Sequence, residues 1–256
     1  MTRHVKKKNK FRIKSTCQTL EIIMAIEDFR PMYCEIGCSS KADGSAQLTQ
    51  GKTTVITGAF GPVEIKRNRE KSDRLDVEVN LLPRVGQSGV DSRFSETIIK
   101  ETVESAVRLA LHPRAGLNLS LHILEQDEGM ISTSVNAACI ALADCGIAMN
   151  FLFAAITVGV IKDASDSDWR IVIDPTSKVI RKAHESCLIV FVFDSRNRDI
   201  IASHIQSGKC SEAKFQESLG MARKASASMF DFYRDVIRKK FSKEFDLTSL
   251  KSESTQ

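Results

Sequence analysis

LNLSLHILEQDEGMISTSVNAACIALADCGIAM, Leu117 to Met149, reads as a strand joined to a helix through a short polar turn. Leu117, Leu119, Leu121 and Ile123 alternate with Asn118, Ser120, His122 and Leu124, the period of two expected of a strand with one buried face. Asp127, Glu128 and Gly129 interrupt it. Ser132-Thr133-Ser134 then offers N-cap chemistry, and Val135, Ala138, Cys139, Leu142 and Ala143 recur at helical spacing, with Gly146 as the stop. So many small side chains let a helix approach its neighbours closely, so a central buried helix is expected. Its first backbone N–H groups lack partners and carry partial positive charge, which makes the turn a candidate anion site.

Outward from this stretch, 256 residues with 42% hydrophobic content are enough for one large domain or two fused lobes. The net charge is +5, concentrated towards the ends in Lys6 to Lys14 and Arg234 to Lys243, and favours polyanionic partners without naming one. Residues 1–29 are expected to form a basic extension whose Lys-rich run serves either as a nuclear import signal or as a nucleic-acid contact. Seven cysteines without a secretory apolar segment point to reduced thiols in cytosol or nucleus. The apolar run from Ile147 to Ile161 contains Asn150 and Thr157, is too short for a bilayer span, and reads as core, so no membrane partner is expected. Cys34 and Cys38 have a metal-like gap, but no second close Cys or His pair follows to close a zinc site.

From Met32 the pattern is one of strands and turns: Tyr33 to Ser39, a hairpin at Ala42-Asp43-Gly44, Ser45 to Thr49, Thr53 to Ala59, and a break at Gly61-Pro62. Val63 to Lys66 and Leu75 to Leu82 are expected to pair around a charged connection. A helix from Ser95 carries Ile98, Ile99, Val103, Ala106, Val107 and Ala110 on one face. Beyond the central helix, Phe151 to Ile161 and Arg170 to Ile173 read as strands, Leu188 to Phe193 and Ile200 to Ile205 as a hairpin, and Ser211 as the cap of a long last helix. Residues 242–256 are polar and read as a flexible tail.

Several runs occur together, in order: Ala42-Asp43-Gly44-Ser45-Ala46, Gln50-Gly51-Lys52-Thr53, Gly61-Pro62-Val63-Glu64, Leu111-His112-Pro113-Arg114, Val135-Asn136-Ala137-Ala138-Cys139 and Asp174-Pro175-Thr176-Ser177-Lys178. In this order they resemble the RNase PH fold of the phosphorolytic ribonucleases and, more closely, their relatives in the exosome ring. The resemblance spans residues 30–241. It implies an α+β fold (RNase PH, ribosomal protein S5 domain 2-like) with mixed sheets, buried helices and two related lobes. As partners it implies other RNase PH-like ring subunits, cap subunits and single-stranded RNA, with DNA as a further substrate and a homodimer when isolated. It also implies RNA processing and degradation in nucleus and nucleolus, and in cytoplasm.

Active members of the family carry Gly-Gly-Thr-Arg at the central turn, where the Arg grips phosphate. This chain has Glu128-Gly129-Met130-Ile131, so Gly129, Met130, Ile131, Ser132 and Thr133 form a degenerate phosphate site. A helix dipole, worth roughly 0.3–1 kcal/mol, does not replace a guanidinium. No catalytic residue and no cofactor is therefore expected. The alternative is a homodimeric nuclease with Asp174 holding Mg²⁺, although the second carboxylate of the active pattern is missing from Pro175-Thr176-Ser177-Lys178. Lys66, Arg67, Arg69, Lys71 and Arg74, among Glu64, Glu70 and Asp73, are candidates for RNA backbone contact or for a solvated loop. Arg84, Arg93 and Arg114 sit near the positions of backbone-contacting arginines in the family, Arg114 alternatively holding a helix end.

Overall fold

The computed structural model describes residues 22–24, 29–66, 70–82, 89–162 and 169–253. The first sheet begins as an antiparallel meander: β1 (Ile22–Met24), β2 (Met32–Ile36), β3 (Gly44–Gln50) and β4 (Thr53–Glu64). The expected break at Gly61-Pro62 is instead a cis peptide inside β4, with an irregular register between Phe60 and Val63. Proline lacks a ladder donor, so the strand accommodates it at an irregularity and then resumes pairing. Val63 and Glu64 therefore pair with Gly116 and Ala115 of β6 (Ala115–Glu125), and the pairing expected between Val63–Lys66 and Leu75–Leu82 does not occur.

β5 (Asp76–Leu82) runs parallel to β6, from Asp76 opposite Gly116 to Leu82 opposite His122. Parallel neighbours need a crossover, supplied here by α1 (Gly89–Ala106) and a 3₁₀ turn at Leu109–Leu111. The helix begins six residues earlier than the expected start at Ser95, which is buried within it. The sheet order is β1-β2-β3-β4-β6-β5.

α2 (Met130–Cys145) has every residue from Ile131 to Leu142 buried and packs on β3 and β4 of the first sheet and on β7 (Phe153–Lys162) of the second. Close approach is built into the sequence: a Cβ on Gly44 would stand 2.2 Å from the backbone nitrogen of Cys145 and 2.6 Å from the carbonyl oxygen of Ala141. Ser132, Thr133 and Ser134 are not caps. They lie inside the first turns, and Gly129, at φ 77°, takes the N-cap position. A strand arriving from β6 has to reverse sharply here, and a left-handed residue makes that turn.

The second sheet, β10-β9-β7-β8, consists of β8 (Trp169–Ile173), β9 (Glu185–Asp194), β10 (Ile200–Ser207) and the central β7, all antiparallel. Among the described residues the two lobes are thus unequal, with six and four strands. Between β8 and β9 lies a short helix, α3 (Ser177–Lys182). α4 (Glu212–Glu253) closes the fold, burying Ala222, Ala225, Met229, Phe232, Tyr233 and Val236 and packing chiefly on β7. It continues as helix through most of the expected flexible tail: 242–253 is polar but contains neither Gly nor Pro to stop it. Likewise β1 places part of the basic extension in the first sheet.

Candidate functional site

The turn between β6 and α2, the β3–β4 turn and the end of β8 converge on one side chain, that of Arg30. Its Nη2 donates to Asp174 Oδ1 at 2.6 Å and to the Glu128 carbonyl oxygen at 2.9 Å, and its Nη1 lies 3.7 Å from Asp127 Oδ2. The backbone N–H of Arg30 donates to the other oxygen of Asp174, Oδ2, at 3.2 Å. Both side chains are withdrawn from solvent, 8% exposed for Arg30 and 1% for Asp174. Two glycines make room. A Cβ on Gly51 would meet Arg30 Cδ at 2.8 Å, and one on Gly129 would meet Nη2 at 2.9 Å.

Around this pair the polar groups form a connected set. Gln50 Nε2 donates to Asp174 Oδ2 at 2.9 Å, while Gln50 Oε1 lies 3.3 Å from the Thr133 hydroxyl, whose single proton it shares with the Gly129 carbonyl oxygen. Thr53 donates to the Glu128 carbonyl oxygen and accepts from the Asp127 N–H. Ser177, from the first turn of α3, donates to Asp127 Oδ1. Ser132 and Thr133 turn their hydroxyls back to the Gly129 carbonyl oxygen, both at 2.9 Å, and Thr157 of β7 donates to Ser132 Oγ at 2.8 Å. Asp174 itself sits at φ 49°, its N–H bonded to the Thr157 carbonyl oxygen. Its oxygens are aimed inward by that turn.

Burial alone would raise the Asp127 carboxyl, but the Ser177 hydroxyl, the Glu128 N–H and the charges of Arg30 and Lys52 outweigh it and hold Asp127 below its usual range. Glu128 goes the other way. Burial and the neighbouring Asp127 charge push it up, against the opposing pull of Arg30 and Arg181. Three acidic residues thus gather about the one buried guanidinium, with Lys52 and Arg181 also acting on two of them, and a phosphate dianion entering here would meet carboxylates. Ile131, expected from the sequence to stand in a degenerate phosphate site, is buried in the first turn of α2 with 3% exposure. Met130, beside it, is packed against the core.

A metal fits no better. Asp174 has one oxygen on the Arg30 guanidinium and the other on Gln50 and the Arg30 peptide. Mg²⁺ demands several directly bound oxygens at about 2.0–2.1 Å, which these donors oppose. Among the described residues, no group of three or more His, Cys, Asp or Glu side chains is arranged to hold a metal ion. Arg30, Gln50, Thr53 and Asp127 were not singled out as site residues in the sequence. Arg30 precedes a proline and reads locally as a chain breaker, and nothing near it in sequence points to a carboxylate 144 positions away.

The basic residues fall into two places. Lys71 pairs with Asp76 at 2.6 Å, Arg114 pairs with Glu70 at 3.6 Å, and the Arg114 N–H bonds the Lys71 carbonyl oxygen, so these side chains gather where β5 and β6 begin. Lys66 borders a groove there of about 410 Å³, shared with Glu64, Asp76 and Glu78, and Arg74 is exposed just before β5. Arg93, on α1, belongs to the other end of β5, where Glu96 accepts from the Leu81 N–H. At about 3.3 Å per residue that end lies roughly 20 Å away. Arg67, Arg69 and Arg84 lie outside the described residues.

The sequence matches the 3′ exoribonuclease family, domain 1 (RNase PH), over residues 28–148. It is 30% identical to the exosome complex component Rrp41 of Thermococcus kodakarensis, over 84% of this chain and 87% of the relative. It is 25% identical to the exosome complex component RRP46 homolog of Caenorhabditis elegans, over 83% of this chain and 96% of that one. The crystal structure of rice (Oryza sativa) Rrp46 superposes with a TM-score of 0.74 at 27% identity, covering 82% and 95% of the two chains.

Proposed function

This chain belongs to the 3′ exoribonuclease (RNase PH) family, and from that premise we propose that it is a non-catalytic subunit of the RNA exosome ring, most like the fifth exosome component. It assembles with other RNase PH-like subunits beneath cap subunits and guides single-stranded RNA, while 3′-to-5′ degradation is carried out by an associated nuclease. Ring membership is supported by near-complete coverage of relatives named as exosome components. Loss of chemistry is supported by the Arg30 guanidinium that engages the Asp174 carboxylate, and by the buried Ile131 at the turn where the resemblance places a phosphate-gripping Arg. Lys66, Arg74 and Arg93, with Arg67, Arg69 and Arg84, contact the RNA backbone in this reading; Lys71 and Arg114 contribute less because acids already pair with them. The protein acts in nucleus and nucleolus, and also in cytoplasm.

The test is incubation of the purified chain with end-labelled single-stranded RNA, with and without phosphate and Mg²⁺, beside Asp174→Asn prepared identically. Salt-sensitive binding without degradation is expected. Phosphate-dependent shortening of the RNA that is lost in Asp174→Asn would make the chain an enzyme. The rival, a homodimeric nuclease with Mg²⁺ on Asp174, requires the Arg30–Asp174 pair to open first.

A further inference from the structure

Three oxygen groups converge on the Arg30 guanidinium, two of them on Nη2 and the third on the side of Nη1. Around it stand Asp174 Oδ1 at 2.6 Å, the Glu128 carbonyl oxygen at 2.9 Å and Asp127 Oδ2 at 3.7 Å, with Thr53 and Gln50 fixing the first two oxygen groups from behind. Carboxylates plus a backbone carbonyl, held by further hydrogen bonds, are the donor set of a hard divalent cation. Yet a cation already stands among these oxygens, the guanidinium of Arg30. Arg30 Nε and Nη1 form no hydrogen bond among the described residues, so the guanidinium does not fit its cage as a bidentate Arg–carboxylate fork would. Its position is dictated by the converging oxygens and by the space at Gly51 and Gly129, not by full satisfaction of its own donors.

We propose that Arg30 is the built-in cation of this site, a tethered guanidinium that stands where a divalent metal would otherwise hold Asp174, Asp127 and the Glu128 carbonyl together. The proposal rests on the non-catalytic reading and deepens it. A metal ion exchanges with solvent and can polarise a substrate oxygen, whereas a tethered guanidinium stays put and has no open coordination position. The site has kept the holding role of a cation and given up the chemical one. It also follows that the acids become a latent metal site once Arg30 is removed.

The experiment measures metal binding and thermal stability rather than activity. Mn²⁺ is titrated into the wild type, Arg30→Ala, Arg30→Gln, and Arg30→Ala combined with Asp174→Asn, and followed by the loss of the free-ion paramagnetic signal and by the unfolding midpoint. The wild type is expected to take up no Mn²⁺ at this site. Arg30→Ala and Arg30→Gln unfold at lower temperature without metal, and Mn²⁺ at a hundredfold excess over its dissociation constant raises their midpoint by roughly 5–10 °C. The double variant gains nothing. An Arg30→Ala chain that folds only with Mn²⁺ supports the proposal equally. One equivalent of Mn²⁺ bound by the wild type and lost in Asp174→Asn would overturn it, as would folded Arg30→Gln that ignores the metal. RNA shortening by metal-free wild type would sink the non-catalytic reading while the metal titration still decides the role of Arg30.

Discussion

Tyr233 of α4 donates its hydroxyl to Asn136 Oδ1 of α2 at 2.8 Å, and the same oxygen accepts the Ala155 N–H of β7 at 2.7 Å while Asn136 Nδ2 donates to the Ala155 carbonyl oxygen at 3.0 Å. β8 pairs with β7 only from Val158 onward, so among the described residues the beginning of β7 has an edge without a strand partner. The Asn136 amide fills that place as a one-residue strand would. Three elements meet at this single side chain, all of it buried.

Asn136→Leu keeps the volume and removes the amide, leaving the Ala155 N–H, the Ala155 carbonyl and the Tyr233 hydroxyl without this partner. A loss of about 3 kcal/mol or more is expected, against about 1 kcal/mol for Tyr233→Phe, which leaves both backbone bonds intact. Urea unfolding of the two variants checks the order. Equal losses would show that the amide does not serve as a strand surrogate.

Gly44→Ala should cost about 1–3 kcal/mol, at the upper end, since its methyl would run into backbone atoms of Cys145 and Ala141 rather than into a movable side chain. Gly220, on α4, has nothing within 4 Å of a built Cβ, so Gly220→Ala should stabilise by about 0.5–1 kcal/mol through helix propensity. Thermal unfolding distinguishes the two.

Ile131→Arg will not create phosphorolysis. The new guanidinium would enter a buried position at a cost of about 3 kcal/mol or more. The remaining site would still contain Asp127, Glu128 and Asp174 around Arg30. The check is RNA shortening with and without phosphate, together with the unfolding midpoint. Robust phosphate-dependent activity would defeat this account of the turn.

Asp127 and Glu128 should move stability with pH in opposite directions. Asp127, held low in the fold, contributes stability above its ordinary range that is lost as pH falls through its depressed value. Glu128, held high, favours the folded state below its ordinary range, and that contribution is lost as pH rises through its elevated value. At pH 7 Asp127→Asn should therefore destabilise and Glu128→Gln should stabilise slightly. Both differences should shrink as acid protonates the wild-type groups. Denaturant unfolding at pH 7 and in acid measures each sign, and a destabilised Glu128→Gln at pH 7 would contradict the assignment.

What could be read from the sequence was whatever depends on neighbours along the chain. The alternation in Leu117–Ile123 and the small-residue helix after it need only local periodicity, and both occur with nearly the expected bounds. The Ser132-Thr133-Ser134 run misled because hydroxyl residues that cap a helix also bond back into its first turn, and local sequence does not separate the two. Parallel pairing of β5 with β6 was hidden because adjacency in sequence favours a hairpin, while the crossover through α1 is a property of the whole sheet. The Arg30–Asp174 pair had no local signature: a basic residue before proline and an acid before proline are each ordinary turn formers, and only the fold brings them together.

β7 is buried at every position from Phe153 to Ile161, yet the residues of α4 that close over it lie near Met229, Phe232 and Tyr233. During synthesis, at roughly 5–20 residues per second, that strand leaves the ribosome about 70–80 residues before its cover and waits on the order of 4–16 s. For that interval the most apolar strand of the second sheet is open to other chains in the cell. A message cut short before α4 would make the interval permanent, because no other segment then supplies the side chains of Met229, Phe232 and Tyr233 that bury this face of β7.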